Sequence, residues 1–537
     1  MYNSIPYFGK FRQVLVVISC IFAVLNNYIM QLTSKLSIST LVLTAASGLL
    51  AQTASHPNIV YVFPDQFRNC ALEFWNDKEF SSHINFKADP THTPNLNKFA
   101  SEAVVLTNAT SNCPLSSPHR GMLLTGMYPD GSGVALNCND MRPNSNLRQD
   151  AIAISDVLSQ NGYDCAYFGK LHVDYPTPNN PQNPGTYVDD RKPVWDAYTT
   201  KERRHGFNYW YSYGTFDEHK NPHYWDTDGN RHDPLEYSPK HEADKVIEYI
   251  TSVRDKSKPF FMMVSMNPPH SPYSSLDDCM EEDYNLYKNI PLNKLLVRPN
   301  VKNELAKRQA NAPYYFANVT GVDREFGRIL AALKSMGLDK NTIVVFSSDH
   351  GESLASQVDD AKNSPYTEAL NVPFLIRYPE KLKPNLSNLL LSTPDVMPTL
   401  LSLAGLKNKI PVTVEGTDLS AELMHQKPSK QAPKAVLYIQ NIDGLKNNEG
   451  KVLSYFPVSR GVKTDRYTLA ISIDKKTKQL KSVLLFDDLK DPYQIQNLPI
   501  EKHKKLFTSL CKQMPALLKK ANDPWYKEKI LSDIIPY

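Results

Sequence analysis

Short runs of apolar residues recur along the chain, and polar or titratable side chains follow most of them. These runs lie at 57–63, 104–106, 165–168, 260–264 and 342–346. Stretches with helical character separate them at 94–103, 154–161, 240–254 and 311–336. The last stretch has one apolar face, formed by Val322, Phe326, Ile329, Leu330 and Leu333. Continuous apolar strands that alternate with helices predict an α/β fold, in which helices cover both faces of a mostly parallel sheet.

The pattern changes at about residue 436. Segments 462–473 and 482–486 are typical of antiparallel strands joined by a Lys-rich turn, and 501–520 is typical of a helix. A chain of 537 residues with 41% hydrophobic content is too long for one ordinary domain. We therefore predict a large domain over 53–435 and a smaller C-terminal α+β domain, with an antiparallel sheet, over 436–537.

The first 52 residues have the composition of a targeting region. Two basic residues precede an apolar run at 14–25, and a second, better formed signal begins at Met30 and ends with an apolar run at 36–51. We expect translation to start at Met30 and the mature chain, periplasmic or secreted, to begin near residue 52. An uncleaved anchor at 14–29 and a lipoprotein-like box ending at Cys20 are the alternatives. After residue 52, no apolar run is long enough to cross a bilayer.

The charge balance and the cysteines argue against several classes of protein. The formal net charge is +4 and no dense stripe of Lys or Arg is present, so the sequence does not indicate a nucleic-acid-binding protein. The seven cysteines are spread widely without C-x-x-C pairs, which argues against a zinc ribbon or a disulfide scaffold. The sequence leaves room for one or two disulfides.

Segment 113–126 predicts a helix that begins with reactive polar groups. Pro118 suits an early helical position, and Gly126 suits the position that ends the helix. Ser116 would then lie at the helix N-terminus, where unpaired N–H groups and the helix dipole favour a bound anion. Arg120, four residues on, could hold Ser116 or that anion from the same face. The alternative is a Ser-Pro helix start without chemical function.

Acidic, amide and imidazole groups follow two of the predicted strands. Asp65 and Gln66 come after the first strand, and Asp349 and His350 come after the strand at 342–346. Open α/β sheets place their ligands at such strand ends. Carboxylate and amide oxygens suit Ca²⁺, whereas an imidazole is a less typical ligand for it. We predict one divalent-metal site from these four residues; the alternative for each is an ordinary polar group at a strand end.

Segments 116–120 and 123–126 resemble the S-x-P-x-R…L-L-T-G motif of type I sulfatases, which belong to the alkaline phosphatase superfamily. In that family the first motif residue, Cys or Ser, is oxidised to formylglycine. The resemblance therefore implies an alkaline-phosphatase-like fold and formylglycine at Ser116. It also implies a serine-type maturase as a partner, as in enzymes of anaerobic bacteria. Cys113 lacks the required spacing to Pro118 and Arg120.

Further motifs of the same family occur in the same order over 57–500. The matching residues are Asp65 for the first metal aspartate, Lys170 and His172 for G-K-x-H, His270 for P-H-x-P, Asp349 and His350 for S-D-H-G, and Lys362 for the turn before Y-x-E-A. Gln66 departs from the commoner Asp-Asp pair and leaves one negative charge fewer for the metal. Segment 487–498 resembles the D-L-x-x-D-P…N-L run that closes many sulfatases.

The resemblance also implies a division of catalytic roles. Lys170, Lys362, the metal and the helix N-terminus would neutralise the sulfate charge in the transition state. Formylglycine hydrate carries two hydroxyls on one carbon; one attacks sulfur, and the other loses a proton to expel sulfate. His172 would accept that proton, and Arg120 would hold the hydrate. His270, aided by Lys362, would protonate the leaving sugar oxygen.

The stretch 174–232 contains three of the five tryptophans together with many charged residues. Aromatic faces and hydrogen-bonding groups are typical of sugar sites, and we expect Asp174 and His219 to contact substrate. A packed aromatic insertion is the alternative. The chain resembles bacterial exo-acting sulfatases that remove 6-O-sulfate from galactose or N-acetylgalactosamine, in mucin glycans or glycosaminoglycans. A phosphatase or phosphodiesterase of the superfamily with unmodified Ser116, or a non-catalytic glycan-binding homologue, remains as an alternative function.

Overall fold

The structure, a computed structural model, describes residues 56–176, 193–357, 360–426, 429 and 432–537. The predicted targeting region, with Met30 and Cys20, lies outside the described residues. Among the residues described, no helix combines the length and the apolar character that crossing a membrane requires. The domain boundary at 435 stays a prediction.

A ten-stranded sheet forms the centre of the fold. Its strands are β1 (Asn58–Val62), β2 (Val104–Thr110), β3 (Asp164–Lys170), β4 (Tyr209–Tyr213), β5 (Tyr224–Asp226), β6 (Arg231–His232), β7 (Phe260–Ser265), β8 (Thr342–Ser347), β9 (Phe374–Arg377) and β10 (Asn385–Ser392). They lie in the order β10-β2-β9-β8-β1-β7-β3-β4-β5-β6. The central strands β8, β1, β7, β3 and β4 are parallel neighbours, as are β2 and β10. Only β9, β5 and β6 pair antiparallel, so the predicted mostly parallel sheet is confirmed for the described chain.

Helices lie between the strands and after them. Those of seven or more residues are Pro94–Ser101, Ser116–Thr125, Ile154–Gln160, Ser238–Glu248, Ala312–Ser335, Val396–Leu403, Lys504–Cys511 and Met514–Lys520. Shorter helices are Lys78–Ser81, Pro129–Ser132, Glu281–Tyr284, Leu292–Leu295, Ala306–Gln309, Thr367–Leu370, Ser420–His425 and Pro524–Glu528.

The two faces of the sheet pack against two separate cores. Along β1, Val60 and Val62 belong to one core, whereas Ile59 and Tyr61 belong to the other, because successive side chains of a strand point to opposite faces. The first core includes apolar residues of the helices Pro94–Ser101, Ser238–Glu248 and Ala312–Ser335. The second includes residues of the helices Ser116–Thr125, Ile154–Gln160 and Val396–Leu403. The prediction that helices cover both faces is therefore confirmed.

A second, antiparallel sheet begins at Val436. Its four strands are β11 (Val436–Asp443), β12 (Tyr455–Lys463), β13 (Tyr467–Ile473) and β14 (Leu480–Asp487). The prediction of one strand over 462–473 was wrong. The Thr464 hydroxyl accepts hydrogen bonds from the N–H groups of Arg466 at 3.1 Å and Tyr467 at 2.7 Å, which closes a turn between β12 and β13.

The predicted helix at 501–520 is divided into two helices, Lys504–Cys511 and Met514–Lys520. Pro515 lies in the first turn of the second helix. Because proline has no N–H group, it cannot donate the hydrogen bond that would continue the first helix, although it is well tolerated where a helix starts.

Six cysteines lie in the described part of the chain, and all are buried. None is bonded to another, so no disulfide joins any two of these six residues.

Candidate functional site

The ends of three parallel strands bring the predicted polar groups to one edge of the large sheet. Asp65 and Gln66 follow β1, Asp349 and His350 follow β8, and Lys170 ends β3. Because β8, β1, β7 and β3 are successive parallel neighbours, their carboxyl ends meet at the same edge. All five side chains are buried.

Ser116 is the first residue of the helix Ser116–Thr125, as predicted, and Gly126 ends that helix with a φ of 66°. The Ser116 Oγ atom lies 3.0 Å from His350 Nε2 and accepts a hydrogen bond from Lys362 Nζ at 3.2 Å. Ser116 is 1% exposed. The hydroxyl therefore links the polar groups at the strand ends to a lysine from a distant loop. These groups are here called the strand-end cluster: Asp65, Gln66, Lys170, Asp349 and His350.

Arg120 binds the strand ends rather than the serine at the start of its helix. Its Nε and Nη2 atoms donate to Asp349 Oδ2 at 3.2 and 3.1 Å, and Nη2 also donates to Asp65 Oδ2 at 3.1 Å. Its Nη1 atom donates to the Lys170 carbonyl oxygen and to Ser265 Oγ, both at 2.7 Å. This arrangement differs from the expected contact with the nucleophile, because all three nitrogens are already used by the two carboxylates, a carbonyl and a hydroxyl.

Asp65, Asp349 and His350 could hold a metal ion together, since one ligand atom of each lies within 4.8 Å of the other two. His350 Nδ1 lies 3.0 Å from the Gly351 carbonyl oxygen and must donate to it, which leaves the Nε2 lone pair as an acceptor, for the Ser116 hydroxyl in this structure or for a cation. Burial lowers the pKa of His350 to about 4, so the imidazole is neutral near pH 7. Burial raises the pKa of Asp65, but Lys170 and other nearby cations lower it well below its ordinary range.

Gln66 is the fourth predicted ligand, and Glu352 orients its amide. The Gln66 Nε2 atom donates to a Glu352 carboxylate oxygen, so Oε1 lies on the other branch of the amide. Within the described residues, Gln66 Oε1 and Asp65 Oδ1 are buried oxygens that accept no hydrogen bond. A buried acceptor without a partner is costly, and a cation would satisfy both. The donor set therefore fits a divalent cation. Glu352 directly follows the S-D-H-G motif, but no sequence motif predicted a role for it.

A cavity of about 200 Å³, here called the catalytic cavity, lies beside the serine. The predicted residues that line it are Ser116, Lys170, His172, His270 and Lys362. The other described lining residues, for which no role was predicted from the sequence, are Asn137, Trp195, Thr215 and Asp217. Trp195, Thr215 and Asp217 lie in the stretch 174–232 that was expected to bind sugar, so the sequence indicated them only weakly. No sequence pattern near Asn137 indicated a functional site.

His172 faces the catalytic cavity as a neutral base. Its Nε2 atom lies 3.1 Å from the Cys138 carbonyl oxygen and donates to it. In the described part of the chain, its buried Nδ1 atom has no hydrogen-bond partner. Burial lowers the pKa of His172 well below its ordinary value, and the charges of Lys170 and Arg120 lower it further.

His270 and Asp217 form a pair at the cavity wall. His270 Nδ1 lies 2.7 Å from the Ser271 carbonyl oxygen and 3.4 Å from Asp217 Oδ1. Since both neighbours are acceptors, Nδ1 carries a proton and Nε2 is left for substrate. Burial raises the pKa of Asp217, but the interaction with His270 lowers it by more. The net pKa lies below the ordinary value, so the carboxyl is ionised.

Neither of the two expected substrate contacts lines the catalytic cavity. Asp174 is buried, and its carboxylate accepts hydrogen bonds from Thr199 Oγ1 at 2.6 Å and Arg203 Nε at 2.8 Å. His219 donates from Nδ1 to the Asp278 carbonyl oxygen at 2.8 Å. It lines a separate cavity of about 760 Å³, which shares the wall residue Asp217 with the catalytic cavity.

Two family profiles match the chain. The profile described as Sulfatase matches residues 57–406, and the profile described as N-sulphoglucosamine sulphohydrolase, C-terminal, matches residues 360–521.

Named relatives and solved structures agree with these matches. The chain is 61% identical over 506 residues to an endo-4-O-sulfatase of Bacteroides thetaiotaomicron. The aligned region covers 93% of this chain and 99% of that protein. It is 33% identical to an ulvan-active sulfatase of Formosa agariphila over 82% of this chain and 77% of that protein. A solved Bacteroides thetaiotaomicron structure, titled for the metabolism of multiple glycosaminoglycans, is 62% identical with a TM-score of 0.88, over 90% of this chain and 100% of that one. The chain therefore belongs to the sulfatase family, with the alkaline-phosphatase-like fold of its superfamily, and is a sulfuric ester hydrolase.

Proposed function

We propose that this chain removes 4-O-sulfate from sugars inside a glycosaminoglycan chain. The observation that carries the proposal is 61% identity across 99% of a relative named endo-4-O-sulfatase. The 6-O-sulfatase activity expected from the sequence has weaker support, since relatives named for 6-O or 6-sulfatase activity are 24% identical. The proposal therefore replaces exo-acting 6-O desulfation with endo-acting 4-O desulfation.

A panel of defined oligosaccharides tests this regiochemistry. The chain, produced together with a serine-type maturase, should desulfate an internal N-acetylgalactosamine 4-sulfate at least tenfold faster than the 6-sulfate or a terminal 4-sulfate, a difference of ~1.4 kcal/mol in transition-state binding. Sulfate release is measured by ion chromatography, and the product position by mass spectrometry. Preference for 6-sulfate or for terminal residues would overturn the proposal.

Asp65, Gln66, Asp349 and His350 would hold the divalent cation of the active enzyme, and calcium suits the three oxygen donors. The cation would polarise a sulfate oxygen as a Lewis acid. Two observations support this assignment. Ligand atoms of Asp65, Asp349 and His350 lie close together, and Asp65 Oδ1 and Gln66 Oε1 are buried without a hydrogen-bond partner among the described residues.

We further propose that a serine-type maturase converts Ser116 to formylglycine, which would supply the nucleophilic hydroxyl and allow sulfate to be expelled. The neighbouring side chains then have distinct tasks. Lys362, which donates to Ser116 Oγ, and Lys170 would bind the sulfate oxygens and neutralise their charge. His172, neutral and with Nδ1 unpaired among the described residues, would accept a proton. His270 would donate a proton from Nε2 to the leaving sugar oxygen.

His270→Ala should affect poor leaving groups more than good ones. A sugar alkoxide needs a proton as it leaves, whereas nitrophenolate does not, so kcat for a sugar sulfate should fall about 10²–10⁴-fold and that for nitrophenyl sulfate much less. Steady-state kinetics with both substrates measure the difference. His232→Ala is a matched control, because His232 pairs with Asp226 at 2.8 Å away from the catalytic cavity. Equal losses on both substrates would contradict the assigned role.

A further inference from the structure

A third cavity, here called the flanking cavity, adjoins the catalytic cavity and has a volume of about 450 Å³. Its lining residues are Leu115, Leu136, Asn137, Arg142, Trp195, Asn363, Asn441, Ile442 and Asp443. It shares Asn137 and Trp195 with the catalytic cavity. The cavity that contains His219 shares Asp217 with the catalytic cavity and, within the part of the chain that the structure describes, no residue with the flanking cavity. A bound glycan can therefore extend from the catalytic cavity in two directions, either past Asp217 into the His219 cavity or past Asn137 and Trp195 into the flanking cavity.

Arg142 is the cationic group among the described residues that line the flanking cavity. Its Nε atom donates to Asp443 Oδ1 at 2.8 Å, and its Nη1 atom donates to the Asn137 carbonyl oxygen at 3.2 Å. Across the described residues, its Nη2 atom makes no hydrogen bond. The side chain is 22% exposed, so a ligand can reach it. A guanidinium held on two nitrogens and open on the third is suited to receive a carboxylate.

Trp195 is an apolar wall that both cavities share. Its ring lies 6.2 Å from the His172 ring and 5.9 Å from the Arg142 guanidinium carbon. Aromatic surface next to a few fixed polar groups is the usual composition of a small-ligand site. A sugar attached to the sulfated residue could thus pack on Trp195 while its substituents reach Arg142.

The charges of the two neighbouring cavities differ. Among the residues that the structure describes, five carboxylates line the His219 cavity, Asp217, Glu218, Glu236, Asp277 and Asp278, but only two lysines, Lys220 and Lys240. Burial lowers the pKa of His219 to about 4, so this histidine adds no positive charge near pH 7. The described lining of the flanking cavity contains one arginine and one aspartate, and Lys446 also binds that aspartate at 3.1 Å. An anionic sugar is therefore repelled less on the flanking side.

From these observations we propose that the flanking cavity is a subsite for a hexuronate residue next to the sulfated sugar. The hexuronate carboxylate binds Arg142 Nη2, and its ring packs on Trp195. This inference rests on the proposed function, because it assumes a glycan that continues beyond the sulfated residue. It also gives the second sheet a role in recognition, since Asn441, Ile442 and Asp443 belong to β11.

The experiment compares two probes on two proteins. The probes are a tetrasaccharide with hexuronate beside an N-acetylgalactosamine 4-sulfate, and the same compound with each carboxylate reduced to a primary alcohol. Calorimetric binding is measured on inactive Ser116→Ala protein with and without Arg142→Ala. We expect Arg142→Ala to weaken binding of the carboxylate probe about tenfold and to abolish the preference over the reduced probe, because a hydrogen bond to a charged group is lost.

Two further variants make the result specific. Asp443→Asn keeps an acceptor for Arg142 Nε but removes one negative charge from the cavity, so it should tighten binding of the carboxylate probe about threefold, a change of ~0.6 kcal/mol in binding free energy. Arg231→Ala is a matched control, because Arg231 pairs with Asp233 at 2.9 Å and lies 5.9 Å from the Trp225 ring, away from all three cavities. Arg231→Ala should keep the wild-type preference for the carboxylate probe over the reduced probe.

The outcomes separate this inference from the proposed function. Equal binding of both probes, or an unchanged preference in Arg142→Ala, overturns the hexuronate subsite even if the enzyme removes internal 4-sulfate. Loss of the preference in Arg142→Ala supports the subsite even if turnover occurs at a different sulfate position, because binding is measured without turnover. If Asp443→Asn weakens binding of the carboxylate probe, the assignment of Arg142 as the carboxylate ligand fails.

Discussion

Ser116→Ala should lower kcat/KM for every sulfate ester by about 10⁴-fold or more, since it removes the group from which the nucleophile is made. The Ser116 hydroxyl is buried between His350 Nε2 and Lys362 Nζ at 3.0 and 3.2 Å, and the substitution removes one oxygen without adding bulk. Stability should therefore change by only ~1 kcal/mol. Kinetics with nitrophenyl sulfate and thermal unfolding test both expectations.

Ser132→Ala provides the matched control. Ser132 is a buried serine on the short helix Pro129–Ser132, and among the described residues its hydroxyl bonds only to nearby backbone groups, outside the catalytic cavity. It should retain activity.

Mass spectrometry of the wild-type peptide tests the modification itself. In protein made with a serine-type maturase, the peptide that contains Ser116 should be lighter by about two hydrogens than in protein made without it. Full activity with an unmodified peptide would instead favour a serine that acts directly, as in the superfamily alternative.

The parts of the site that the sequence could predict are those set by local rules. The apolar runs before Asp65 and Asp349 become adjacent parallel strands, and parallel neighbours necessarily share a carboxyl edge. Pro118 and Gly126 determine where the helix of Ser116 starts and ends.

Other features depend on long-range packing. Arg120 was expected to hold Ser116 or an anion bound to it because the two residues are four apart on one helix, yet its guanidinium binds the two carboxylates that follow distant strands. Asp174 was expected at the substrate, but Arg203 binds it inside the protein. No local pattern could indicate which partner each charge would find across the fold.

Arg120→Ala should have the second largest effect, which is a loss in the free energy of unfolding. Arg120 makes five hydrogen bonds, and it is buried with Asp65 and Asp349. Burial lowers the pKa of Arg120, but the two carboxylates raise it more, so the guanidinium is permanently charged. Removing one partner of a buried ion pair leaves the other charge uncompensated, at a cost of ~3–5 kcal/mol. Chemical denaturation without added metal should show a loss of this size.

Calcium and pH distinguish this effect from a general loss of packing. Without the guanidinium, the paired aspartates carry excess negative charge, so added Ca²⁺ should restore part of the lost stability. Lowering the pH from about 7 to about 5 should narrow the difference in stability from wild type, because Arg120 helps to hold the pKa of Asp65 below its ordinary value, and without Arg120 the Asp65 carboxyl becomes neutral at a higher pH.

Arg460→Ala is the control that decides the interpretation of the Arg120 result. Arg460 lies on β12, is equally buried and pairs with Asp523 at 2.6 Å, so its loss should destabilise the fold by a similar amount. It leaves the cation site intact, so Ca²⁺ should stabilise Arg460→Ala only as much as it stabilises the wild type. If Ca²⁺ stabilises none of the three proteins, then Asp65 and Asp349 do not form the cation site, and their role would be limited to holding Arg120. If Ca²⁺ stabilises all three proteins and Arg120→Ala most, one pair of carboxylates serves both the buried arginine and the cation.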